Sequence, residues 1–173
     1  TKGSEFDTTS MNITIQEEKN AIAATDKLSK DAQDLYSLDV ARIKENNKAL
    51  FDQQKNVNDA AIAAAADKNM SLESIQDTIA KLNETRSKVS QALMGNDDTL
   101  TAALTTLAVA EASKPRDPLA IEKAKKELTN VKKNLAEFDA YANKDTLSLI
   151  VYYKELSNWV NAGSTGKKPL FKP

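Results

Sequence analysis

The sequence predicts an all-α fold, an elongated antiparallel helical bundle with two long outer helices and two short inner ones. Three observations carry that expectation. Glycine and proline, the strongest local helix breakers, are missing from Ser4 to Met94 and again from Leu119 to Ala162. Apolar residues recur at coiled-coil spacing along both stretches. The few breakers present stand where a helix should stop or restart.

The first helix is expected to begin near Ser10 or Thr14 and to run to about Asp67. Ile15, Ile22, Ser29, Tyr36, Ile43, Leu50, Val57 and Ala64 fall on every seventh position. A straight helix of that length spans roughly 80 Å. The second seam position is poor: Glu18, Thr25, Asp39, Asn46 and Gln53. The stripe is therefore narrow, and Asp39, Asn46 and Gln53 read as its solvent-facing flank. The segment Met11 to Ile15 alternates like a strand, which leaves the start open.

Asn69-Met70-Ser71 ends or kinks this helix, and Ser71 is a suitable N-cap for the next. The second helix carries Leu72, Ile75, Ile79, Leu82, Val89 and Leu93, and only Arg86 interrupts its stripe. Gly95-Asn96 is its stop, because glycine accepts the left-handed conformation that closes a helix. Asp97 or Asp98 caps a third helix with Leu100, Leu104 and Leu107 as its stripe, ending before Pro115. Asp117-Pro118 restarts the chain, with an aspartate cap and proline at the first helical position. The fourth helix carries Ile121, Ala124, Leu128, Val131, Leu135, Phe138 and Ala142, and the phase continues through Leu149, Tyr152, Leu156 and Trp159. Continuity from 118 to 161 is the favoured expectation. A break at Asn143-Lys144-Asp145 is the alternative. Gly163 stops the helix.

Residues 1–6 read as a cloning remnant and are set aside. Residues 7–162 form a single bundle domain, and 163–173 are expected to be a flexible tail. Short connections favour antiparallel neighbours. The expected assembly is a four-helix head with a two-helix stalk built from 15–40 and 140–161. A chain of 173 residues can bury a core without disulfides or a structural metal.

The chemistry of the chain is sparse. With 24 basic and 25 acidic residues and a formal charge of -1, it lacks the basic face of a nucleic-acid binder. It has no histidine and no cysteine, which removes the usual nucleophile and base pairs and the usual zinc and iron ligands. The segment Asp67 to Ser71 departs from a calcium loop: glycine is missing at the sixth position and Thr78 stands at the twelfth. No glycine-rich phosphate loop is present. The adjacent Asp97 and Asp98 read as a cap. Lys123, Lys125, Lys126, Lys132 and Lys133 read as a solvated face. The expectation is therefore no enzyme, no cofactor and no metal.

One stretch stands out. Leu147, Leu149, Ile150, Val151, Tyr152 and Tyr153 are apolar nearly all round a helix, and such a helix must be covered on several sides. In the expected layout only the narrow stripe of the first helix faces it. Either more intrachain core lies there, or a partner covers it. Leu149, Tyr152, Tyr153, Leu156 and Trp159 are the candidate interaction surface, for a protein partner or for a second copy in a homodimer.

The leading expectation is a non-enzymatic interaction or scaffolding module, the soluble part of a bacterial exported or surface-attached protein. Its address would be periplasmic, cell-surface or secreted, with membrane attachment only through a removed anchor such as a lipid. The layout of two long and two short helices is similar to the periplasmic ligand-sensing domains of chemoreceptors and sensor kinases, though no motif carries that resemblance. A secretion-system or pilus tip component is a further alternative.

Overall fold

A computed structural model describes residues 14–95 and 97–172, so Ser10, the Met11 to Ile13 alternation and the 1–6 remnant lie outside the described residues. Among the described residues the protein is all-helical, with seven helices and no strand. They are α1 (Ile15–Asp26), α2 (Lys30–Asn46), α3 (Lys48–Ala64), α4 (Leu72–Gly95), α5 (Asp98–Ala112), α6 (Pro118–Ala142) and α7 (Lys144–Asn161). None of them is long and apolar enough to cross a membrane.

The stops and starts expected near the breakers are present. Thr14, Ser71, Asp97 and Asp117 each accept a backbone amide of the following first turn through a side-chain oxygen. Gly163, at φ +93°, closes α7 in a paired motif. The Ser164 amide donates to the Trp159 carbonyl at 3.0 Å, and the Gly163 amide to Val160 at 3.0 Å. Only a residue that tolerates positive φ can hold that geometry cheaply.

The two long outer helices are not continuous. The expected first helix is three helices, α1 to α3. Its first break lies at 27–29, where Ser29 Oγ accepts from the Ala32 amide at 3.2 Å and Gln33 Nε2 donates to the Leu28 carbonyl at 2.9 Å. The second break is Asn47. Its side-chain Nδ2 and its backbone amide both donate to the Ile43 carbonyl, at 3.0 Å each. The expected fourth helix breaks in the same way at Asn143. There Nδ2 and the backbone amide both donate to the Asp139 carbonyl, at 3.1 and 3.0 Å. Asparagine competes with the helix ladder for backbone partners, and both breaks occur at an Asn-Lys pair.

These breaks overturn the head-and-stalk layout. Glu18, Lys19 and Asp26 of α1 pair with Lys154, Glu155 and Lys144 of α7, so α1 runs antiparallel to α7. Gln54, Asn58 and the Ala61 carbonyl of α3 meet Asn143, Thr146 and Tyr153, so α3 runs parallel to it. The chain has reversed between α1 and α3, and both flank the same helix. The helix α4 packs along α3 and α7, antiparallel to the α6–α7 rod. Arg86 and Ser90 meet Asp139, while Ile75 and Leu82 cluster with Leu149 to Leu156. The helix α5 packs chiefly on α6, and α2 touches α6 through Tyr36, which stacks on Phe138 at 5.3 Å.

The tail contacts the bundle. Phe171 packs edge-on against Tyr152 at 5.5 Å, and Tyr152 Oη donates to the Pro169 carbonyl at 3.4 Å. Lys168 Nζ donates to the carbonyls of Asp67 and Lys68 past the end of α3. An aromatic anchor and carbonyl-capping lysine hold the strand of chain from 165 to 172 across the α3–α4 connection.

Two apolar clusters make the core. One gathers Val40, Ile43, Phe51, Val89, Leu93, Leu100, Leu107, Leu128, Leu135 and Phe138. The other gathers Ala61, Ile75, Leu82, Leu149, Ile150, Tyr152, Tyr153 and Leu156. Between them, on three helices at once, the buried residues turn polar.

Candidate functional site

Four of the five residues singled out from the sequence as a candidate interaction surface lie in the core. Leu149, Tyr152, Tyr153 and Leu156 are buried, and Trp159 is half-buried. Three helices and the tail cover this stretch, because the broken first helix returns along α7 instead of running past it. Tyr153 is fully buried, and its hydroxyl donates to the Ala61 carbonyl at 2.6 Å. Burial holds the Tyr153 phenol protonated, up to about 12.

The polar layer between the clusters starts with Arg86 of α4, only 5% exposed. Its Nη2 lies 3.7 Å from Asp139 Oδ2. Ser90 Oγ donates to the other oxygen of the same carboxylate, and so does Asn143 Nδ2, at 3.2 Å. Asn143 Oδ1 accepts from Gln54 Nε2 at 2.8 Å. The Gln54 amide also reaches Thr146 Oγ1 at 3.2 Å, and Asn58 exchanges hydrogen bonds with that hydroxyl at 3.0 and 3.1 Å. Burial pushes Asp139 above the ordinary carboxylate range, opposed by Ser90, Arg86 and Asn143. Burial pulls Arg86 down, opposed chiefly by Asp139 and then by Glu18. Each shift is a desolvation cost that the pairing only partly offsets.

The outer end of this layer opens into a groove of about 900 Å³ between α2, α3, the α6–α7 junction and the tail. Gln54, Asn58 and Thr146 give its floor hydrogen-bonding groups, and Phe51, Ile62, Leu149 and Phe171 give it apolar surface. Its rim is charged in both signs. Lys48 pairs with Asp52, and Lys55 with Asp59, one turn apart on α3. Lys44 Nζ sits 5.7 Å from the Phe51 ring centre, within cation–π range. Among the described residues no group of carboxylates gathers in a way that could hold a metal ion.

Of the residues singled out from the sequence, Asn46 and Gln53 are exposed and Asp39 is half-buried beside a smaller cavity. The lysines of α6 lie outward, except half-buried Lys132. The groove residues Gln54, Asn58, Thr146 and Phe171 carried no signal by themselves. Arg86 did: a cation inside an apolar stripe needs a buried counter-charge, and Asp139 supplies it.

No family model, curated protein or solved structure matches this chain.

Proposed function

We propose that this protein is a non-enzymatic interaction or scaffolding module that presents the α3–α7 groove to a polypeptide partner. The observation that carries this reading is the composition of the groove. Its floor alternates apolar surface with amide and hydroxyl groups, the chemistry that pairs with peptide backbone while burying side chains. The mixed-sign rim disfavours nucleic acid, whose binding depends on a one-sign basic surface. A sequence without histidine or cysteine supports the non-enzymatic assignment. The proposed setting is the soluble part of a bacterial exported or surface-attached protein, consistent with a cysteine-free chain.

A second reading is favoured by the groove volume, which falls in the range of small-molecule sites: an extracytoplasmic sensing domain. One experiment separates them. Peptides are selected from a random display library, a panel of small metabolites is screened in parallel, and each hit is mapped by amide chemical-shift perturbation. Peptides that shift Asn58, Ile62 and Ser148, and that are lost with Ile62→Glu, support the interaction module. Metabolites shifting the same residues favour the sensor. Hits that perturb only other surfaces overturn both.

A further inference from the structure

The docking of α1 differs from that of every other helix. It buries no apolar side chain fully; its two buried residues are Glu18 and Thr25. Ile15, Ala21 and Ile22 are half-buried. Glu18 is 0% exposed. Its Oε1 accepts from Lys154 Nζ at 2.9 Å, the Arg86 charge on α4 favours its ionised form, and its Oε2 is buried with no hydrogen-bond partner. The flanking contacts, Lys19 with Glu155 and Asp26 with Lys144, are solvent-exposed ion pairs. On α1 the two weak seam positions, Glu18 and Thr25, are thus the ones pointing inward.

Such docking is weakly held. A buried ion pair returns little more than the desolvation of its charges costs, and exposed pairs contribute little. Below α1 the receiving face is well built. Lys144, Leu147, Val151 and Lys154 recur at three- and four-residue steps on α7, and Leu147 is 0% exposed. The three residues 27–29 between α1 and α2 are non-helical and Ser29 caps α2 independently, so α2 does not need α1 to remain folded.

We propose that α1 is a releasable latch over a cationic socket formed by Lys154 and Arg86, and that the socket is a docking surface for a partner's amphipathic helix carrying a central carboxylate. The intramolecular occupant specifies the chemistry. The segment Ile15, Glu18, Ile22 places an acid between apolar residues at helical spacing, and a partner helix of the same pattern meets the same groups. This surface is separate from the α3–α7 groove and does not depend on the role proposed for it.

Amide hydrogen exchange on the full chain, with a Glu18→Met, Lys154→Met double variant and a Glu18→Lys variant, tests the latch. A synthetic peptide of residues 14–28 is the probe for the socket. In the parent protein, α1 amides should exchange at least about tenfold faster than those of α4 and α7. Replacing both members of the pair, Glu18→Met with Lys154→Met, removes the buried charges together and should slow α1 exchange. Glu18→Lys should release α1 while α4 and α7 keep their protection. The peptide should bind the Glu18→Lys chain, and binding should be lost on adding Lys154→Glu. Exchange of α1 in step with α4 and α7 in all three proteins overturns the latch, as does global loss of protection in Glu18→Lys. A Glu18→Lys chain with α1 released that does not bind the peptide overturns the socket.

Discussion

Replacing Asp139 by leucine should destabilise the protein by about 3–5 kcal/mol, the cost of leaving a buried charge without its partner. The geometry explains the size. At 3.7 Å, two unit charges attract by about 4.5 kcal/mol at an effective dielectric of about 20. Removing one of them forfeits that attraction and strands Arg86 at 5% exposure. Ser90 and Asn143 lose an acceptor as well. The double change Arg86→Met with Asp139→Leu should behave differently. It removes both desolvation costs and joins the two apolar clusters, so its stability should lie within about 1 kcal/mol of the parent or above it. The assay is urea unfolding followed by circular dichroism at neutral pH, with the slopes compared to verify that the transition keeps its character. Equal and additive costs for the two single changes and the double would refute the reasoning, because uncoupled groups add. The pH dependence gives a second handle. The folded pKa of Asp139 is raised, so its contribution is greatest in acid and is lost as pH rises from the unfolded value through the folded one. The variant Asp139→Asn should flatten that part of the stability profile.

Other perturbations probe neighbouring features. Asn143→Ala should cost about 2 kcal/mol in the same unfolding assay, since Gln54 and Asp139 each lose a buried hydrogen-bond partner. Tyr153→Phe should cost about 1 kcal/mol by removing the bond to Ala61. In the parent, spectrophotometric titration should show one tyrosine ionising only near pH 12. Because that folded pKa is raised, its stabilisation holds below pH 10 and is lost between the unfolded value and about 12. Phe171→Ala should speed proteolytic trimming of the tail with a global cost of about 1 kcal/mol, as the ring is only partly buried.

The capping residues made the helix boundaries legible. Thr14, Ser71, Asp97, Asp117 and Gly163 each act through their own local chemistry, which sequence alone displays. The breaks at Ser29 and Asn47 were not legible, because Ser29 sat on the heptad seam and asparagine is tolerated within helices. Asn143 was seen as a possible break but not preferred, since the apolar phase runs straight through it. Without those breaks the first helix could not return along α7, and the aromatic stretch was left with too few neighbours. The groove was hidden for a different reason: its floor gathers residues about 90 positions apart, such as Gln54 and Asn143, and no local pattern records that distance.

The polar layer has a consequence for how this chain finds a single arrangement. Its apolar stripes are narrow and repeat at short intervals, so sliding one helix by a turn or a heptad against its neighbour would still match oil with oil. Residues of one cluster would simply meet others of similar size. The layer forbids the slide. Displacing α3 by a turn would separate Gln54 from Asn143 and Asn58 from Thr146. Displacing α4 by a turn would part Arg86 and Ser90 from Asp139. The buried charges and amides act like the teeth of a key: they add little holding force, yet they admit one alignment of three helices.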